Sequence, residues 1–145
     1  MAENQKFATY PSLADRVVVL TGGAMGIGAY IVEQLALQGS RVIFLDIVDG
    51  AARNLVQKVT DLGVPHTLIF YHCDVTDIEG GIKPIAAKIL ACFPIIDAVI
   101  NNAAHNLRQL TMDITVEAWD QFIAVNLRHY FFLTQALLRG LLAVK

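Results

Sequence analysis

The sequence predicts an α/β domain: an open parallel sheet of about four strands with helices on both faces. Two observations predict it. Four short apolar runs rich in β-branched residues occur at Arg16–Leu20, Arg41–Leu45, Thr67–Tyr71 and Ala98–Ile100. None alternates polar with apolar residues, the pattern of strands buried on both faces. Each gap between runs is long enough for one helix, and strand alternating with helix is the signature of a parallel sheet joined by crossovers.

Residues 1–12 read as a flexible lead-in, and 13–145 as a single domain, since 145 residues is the usual size of one. The first run passes through Thr21-Gly22-Gly23-Ala24-Met25-Gly26-Ile27-Gly28 into a helix expected over Ile27–Gln38. The second leads to a helix over Asp49–Leu62. Gly39 and Gly63 stand where a helix end favours left-handed backbone. A third helix is expected over Ile78–Phe93, its start blurred by Gly80-Gly81 and Pro84. The fourth runs from about Val116 to Leu138 or beyond, with Thr115 as its N-cap.

Composition narrows the function. The chain is 55% hydrophobic and 17% charged, which excludes disorder. A net charge of −2 without any run of Lys or Arg lacks the electrostatic footprint of a nucleic-acid or anionic-membrane binder. Cys73 and Cys92 fit neither a disulfide framework nor a CxxC motif and suit a reduced compartment. The most apolar stretch, Tyr130–Val144, is interrupted by Gln135, Arg139 and Gly140, short of the roughly 18 apolar residues of a membrane span. A cytoplasmic location is expected. A mean hydropathy of +0.52 is high for a small domain with much surface. It implies mostly buried sheet, apolar surface that meets something else, or both.

The glycine-rich turn carries the first chemical signal. Gly22, Gly26 and Gly28 let backbone approach a ligand without Cβ interference. They also aim free N–H groups and the positive end of a helix dipole at an anion, for which a diphosphate is the natural guest. Such a turn also occurs as a purely structural bend, but this one follows a strand and opens a helix. Asp46 closes the second run inside the same unit. A carboxylate there accepts both hydroxyls of an adenosine ribose and repels a 2′-phosphate. Ala24, Met25 and Ile47 offer no compensating cation, which favours NAD over NADP. The alternative for Asp46 is a helix cap, although Asp49 is better placed for that.

Four motifs in order resemble the short-chain dehydrogenase/reductase family: Thr21–Gly28, Asp74-Val75, Asn101-Asn102-Ala103-Ala104, and Asn126 within the fourth helix. The resemblance runs from about Leu13 to Lys145. It implies a Rossmann-like sheet of order 3-2-1-4, and a hydride exchanged between NAD and an alcohol or carbonyl substrate. It further implies that Gly22, Gly26, Ile27 and Gly28 line the diphosphate and that Asp46 holds the ribose. Asp74 would meet the adenine amino group, Val75 would pack on the ring, and Asn101 and Ala103 would approach the nicotinamide ribose. Asn126 is the implied partial catalytic residue, anchoring a proton-relay water. Ala104 departs from the family's usual glycine.

A larger departure concerns chemistry. The family uses Tyr with Lys four residues later and a Ser upstream, where Lys lowers the Tyr pKa. Here Tyr10, Tyr30, Tyr71 and Tyr130 are followed at that spacing by Ala14, Gln34, Val75 and Thr134, and the serines are Ser12 and Ser40. The catalytic segment is thus expected to be absent from this chain, which stops about where a fifth strand would begin. His105 offers a local acid or base, or is a solvent-facing loop histidine. His72, Cys73 and Asp74 do not suggest a metal site, because neighbours on a strand point to opposite faces. His66 is expected at a strand start and His129 on a helix surface.

The 3-2-1-4 order would leave the fourth strand as an edge, with the first two helices on one face and the others opposite. Trp119, Phe122, Ile123, Tyr130 and Leu133 form one apolar stripe, which Phe131, Phe132, Leu138 and Leu142 widen. A homo-oligomer or a companion chain is therefore expected. Three functional readings remain: an NAD-dependent oxidoreductase of this family, a non-catalytic NAD-binding or interaction module, and an enzyme of unrelated chemistry in the same cleft.

Overall fold

Four parallel strands make the sheet, in the order β3-β2-β1-β4. They are β1 (Val17–Thr21), β2 (Arg41–Asp46), β3 (Ile69–His72) and β4 (Ala98–Ile100). The structure is a computed structural model and describes residues 8–106 and 108–143. Its helices are α1 (Gly26–Leu37), α2 (Asp49–Asp61), α3 (Lys83–Cys92), α4 (Val116–Ile123) and α5 (His129–Leu142). The expected fold class and strand order are both observed.

Burial explains why the central runs do not alternate. All five residues of β1 are buried, and so are the four inner residues of β2. Val17, Val19, Ile43 and Leu45 point to one face, where Ile82, Ile85 and Ile89 beside α3 and Leu133 and Leu137 of α5 cover them. Leu20, Val42 and Phe44 point to the other, against Val32 and Ala36 of α1 and Ala52, Leu55 and Val59 of α2. Right-handed crossovers demand this division of helices.

Several boundaries differ from the expectation. β3 begins at Ile69 rather than Thr67 because its pairing with β2 starts at Ile43↔Ile69. The third helix is shorter: Ile78–Ile82 form a wide π turn, with the Asp77 carboxylate accepting the Gly80 amide, before α3 starts at Lys83. Pro84 then occupies the first turn of α3, where its missing N–H costs nothing. The single fourth helix is also interrupted, by a π turn at Ala124–Arg128 between α4 and α5. Thr115 does cap α4, accepting the Ala118 amide at 3.2 Å. Trp119 of the expected stripe is exposed and α4 contributes no buried residue, whereas Leu133 is fully buried.

Of the expected lead-in, residues 1–7 lie outside the described residues. The remainder is held in place. Gln38 accepts the Tyr10 amide at 2.8 Å and donates to the Ala8 carbonyl at 3.1 Å, and Pro11–Leu13 form one 3-10 turn. At the N-terminal ends of the strands, the Asp97 carboxylate bridges the Arg16 guanidinium and the Val17 amide, both at 2.7 Å. The opposite ends, where the strands run out into loops, are left for the site.

Candidate functional site

A cleft of about 550 Å³ crosses the C-terminal ends of the strands, where open α/β sheets bind ligands. Its floor is the turn between β1 and α1. A Cβ on Gly28 would lie 1.9 Å from the Gly22 carbonyl oxygen, and one on Gly22 would lie 2.8 Å from the Ala103 Cα. Only glycine permits this approach of turn, helix and the loop after β4. Met25 makes no side-chain cap on α1, so the first-turn amides remain available to an anion.

The acidic side of the cleft is built from the turns that follow β1, β2 and β3. Asp46 ends β2 with its carboxylate between two amides, accepting from Ala24 at 2.9 Å and Val48 at 3.0 Å. Its position is thereby fixed beside the glycine turn. Asp74 folds an Asx turn after β3, accepting from the Thr76 amide at 2.8 Å and the Thr76 hydroxyl at 2.7 Å. Val75 is buried and lines the same wall. Cys73 also lines it. Burial, reinforced by Asp74 and Asp77, pushes its thiol up to about 11, so it stays a neutral lining group.

The opposite side is held by bonds across long stretches of chain. Asn102 donates from Nδ2 to the Thr21 carbonyl at 3.0 Å and the Gly22 carbonyl at 2.9 Å. The Thr21 hydroxyl accepts the Asn102 amide at 3.1 Å and the Ala103 amide at 3.0 Å. Tyr130 donates its hydroxyl to the Ala103 carbonyl at 3.3 Å. Asn126, within the π turn, clamps His105 at both backbone atoms: Oδ1 accepts its N–H at 2.7 Å and Nδ2 donates to its carbonyl at 2.9 Å. The backbone after β4 is therefore fixed while the His105 side chain stays free at the rim.

Of the sequence-derived candidates, Gly22, Ile27, Gly28, Asp46, Asp74, Val75 and Ala103 line this one cleft. Gly26, Asn101 and Asn126 do not. Gly26 opens α1 with its Cβ direction in empty space. Asn101 turns away, its Nδ2 3.4 Å from the Thr134 hydroxyl and its buried Oδ1 without a partner. Asn126 acts through the backbone of His105 rather than at the cleft wall. His129, expected on a helix surface, is instead completely buried, because α5 turns that side towards β1 and the Thr21 hydroxyl.

The model of the family described as short chain dehydrogenase matches residues 16–145. The chain belongs to that family. D-xylose 1-dehydrogenase of Caulobacter vibrioides is 41% identical over 134 residues, covering 92% of this chain and 51% of that protein. NAD-dependent glycerol dehydrogenase of Listeria innocua is 30% identical over 132 residues, covering 91% and 50%. Among solved structures, a short chain dehydrogenase from Mycobacterium smegmatis matches with a TM-score of 0.83 at 26% identity, covering 92% of this chain and 55% of its own. A metagenomic short-chain oxidoreductase in complex with NADP matches at 0.81 and 28% identity, covering 89% and 57%. The chain thus spans about half the length of the relatives it matches.

As in short-chain dehydrogenases generally, a dinucleotide of the NAD(P) type fits the donor set: open helix amides, a carboxylate beside the glycine turn and a glycine floor. Sequence reasoning placed Thr21 and Asn102 inside motifs without giving either side chain its own role, and it missed the burial of His129 against Thr21. Thr21 had a usable signal, as the polar residue closing an apolar strand just before the glycines. His129 had none, because its partner lies 108 positions away. Among the described residues no three His, Cys, Asp or Glu side chains converge as a metal site. His72 pairs instead with Asp49 at 2.7 Å. No described helix is long and apolar enough to cross a membrane.

Proposed function

We propose that this chain forms the coenzyme-binding half of an NAD-dependent short-chain dehydrogenase site acting on an alcohol/carbonyl pair. One observation carries the choice of coenzyme. Among the described residues, Asp46 and Asp74 are the charged ones lining the cleft, and no Lys or Arg lines it. A 2′-phosphate beside Asp46 would meet uncompensated negative charge, whereas ribose hydroxyls would donate to the carboxylate. Gly22, Ile27 and Gly28 would hold the diphosphate at the start of α1, and Asp74 and Val75 the adenine. Ala103 would stand at the nicotinamide end. When bound, the coenzyme supplies the hydride carrier.

What this chain's residues contribute is binding and orientation. Asn126 is a positioning residue that sets the His105 backbone. The relatives are named for dehydrogenation of xylose and glycerol, which supports a small polyhydroxylated alcohol as substrate class. The family's Ser and Tyr-x-x-x-Lys have no counterpart in these 145 residues, so turnover would require groups other than those described. The exposed apolar residues Trp119, Leu127, Phe131 and Leu138 support a homo-oligomer or a companion chain joined along α4 and α5.

Titration of the protein with NADH and NADPH, followed by nicotinamide fluorescence, tests this reading. NADH should saturate, and NADPH should bind about tenfold or more weakly. Unchanged NADH fluorescence at high micromolar protein overturns the site assignment. Equal binding of the two overturns the role given to Asp46.

A further inference from the structure

Beneath the cleft, one hydroxyl group is asked to satisfy three partners. Thr21 Oγ1 accepts two backbone N–H groups, from Asn102 at 3.1 Å and Ala103 at 3.0 Å. A hydroxyl has two acceptor sites and one proton, so with both acceptor sites taken its proton must go to an acceptor. The group in place is Nε2 of His129, 3.3 Å away and completely buried. The other ring nitrogen settles the tautomer. His129 Nδ1 faces the Val125 carbonyl, which can only accept, so the proton resides on Nδ1 and Nε2 is bare.

We propose that His129 is a positioning residue for the coenzyme floor, its bare Nε2 taking the Thr21 proton and so turning both Thr21 lone pairs onto Asn102 and Ala103. The column runs from the π turn at Val125 through His129 and Thr21 to two residues that line the cleft. The same π turn holds the loop a second time, where Asn126 grips both backbone atoms of His105. A single helical turn thus fixes the nicotinamide end at two points, one direct and one relayed through β1. Edge-on contact with the Tyr130 ring, centroids 4.4 Å apart, holds the imidazole plane. Tyr130 in turn donates to the Ala103 carbonyl. A phenylalanine at position 129 would fill the volume but leave the Thr21 proton free to rotate onto an amide's place.

This inference rests on the proposed coenzyme site only for its consequence, so its test has one readout that needs no coenzyme. In the unaltered protein, nitrogen-15 NMR of the imidazoles should show His129 as the neutral Nδ1–H tautomer at about pH 7.5. Amide exchange should then be measured in His129→Phe and His129→Gln. The Phe variant should exchange the Asn102 and Ala103 amides roughly tenfold faster, and Gln, whose Oε1 reaches the place of Nε2, should restore them. NADH affinity should follow the same order, with Thr21→Val abolishing any further effect of His129→Phe. An Nε2–H tautomer overturns the proposal even if the variants fail to fold. Equal exchange in the Phe and Gln variants also overturns it. If the tautomer and exchange results hold while NADH fails to bind, the column stands and the coenzyme assignment falls.

Discussion

The two sides of the cleft are built by opposite means. On the side of β2 and β3, the groups that would face adenosine are fixed mostly by their own neighbours: Asp74 by Thr76 and Asp46 by Val48, with one further bond to Asp46 from Ala24 of the glycine turn, 22 positions earlier. On the side of β4, the anchors of the loop among the described residues come from distant elements: Thr21 of β1, Asn126 of the π turn and Tyr130 of α5. The flanking strands share the difference. β1 is buried throughout, whereas no residue of β4 is fully buried. Local construction makes a binding site that tolerates change elsewhere. Long-range construction makes one whose geometry reports on the packing of the whole sheet.

The most severe way to break both sides at once is Gly28→Ala. Its Cβ would intrude 1.9 Å from the Gly22 carbonyl oxygen and 2.6 Å from Asn102 Nδ2, the point where the two constructions meet. Expected is a loss of about 3 kcal/mol or more, with coenzyme binding abolished. Urea denaturation and NADH titration check it, and near-normal stability would mean that the turn does not close as described. Adjacent asparagines then separate the long-range side from mere burial. Asn102→Ala strands the Thr21 and Gly22 carbonyls and should cost about 1–3 kcal/mol. Asn101→Ala removes an amide whose Oδ1 is already unpartnered and should cost about 1 kcal/mol or less. Similar losses for the two, by the same denaturation assay, would erase the distinction.

A third change sharpens the local side alone. Asp46→Ser removes the carboxylate next to the proposed ribose position while leaving an oxygen for an amide. The preference for NADH over NADPH should narrow by about tenfold, with binding on the β4 side unaffected. Paired titrations of the two coenzymes check it, and an unchanged ratio would place the discriminating charge elsewhere.

How much was legible in the sequence follows the same division. The strands were readable because β-branched runs and glycine turns act within a few residues, whereas their order came only with the family resemblance. Asp46 and the glycines were readable from their place at the end of a strand and in the turn that follows one, and Asp74 through the resemblance. The π turns at Ile78–Ile82 and Ala124–Arg128 were not, because local helical propensity runs straight through them. Nor was the burial of His129. A histidine surrounded by Arg128 and Tyr130 reads as surface, and only the register of α5 against β1 turns it inward. Asn101 and Asn102 are identical letters in the loop after β4 whose side chains find different partners, the Thr134 hydroxyl for one and the Thr21 and Gly22 carbonyls for the other.

The smallest expected effect tests the long-range side through pH. Burial holds the His129 pKa below the usual 6.5, against a pull in the other direction from the Val125 carbonyl. An unfolded chain therefore binds a proton near that value which the folded chain does not. This contribution to stability is complete above the unfolded pKa and shrinks as pH falls from it towards the folded one. Asp15 works in a separate window. Bonds to His66 and Arg41 hold its carboxyl below the usual 3.8, so its contribution is lost only as more acidic pH is reached. Urea midpoints should accordingly fall between about pH 7 and pH 5, and His129→Gln should flatten that fall while leaving the more acidic loss in place. Identical slopes in the two proteins would mean that His129 takes up its proton in the folded state as readily as in the unfolded one, against the direction its burial sets.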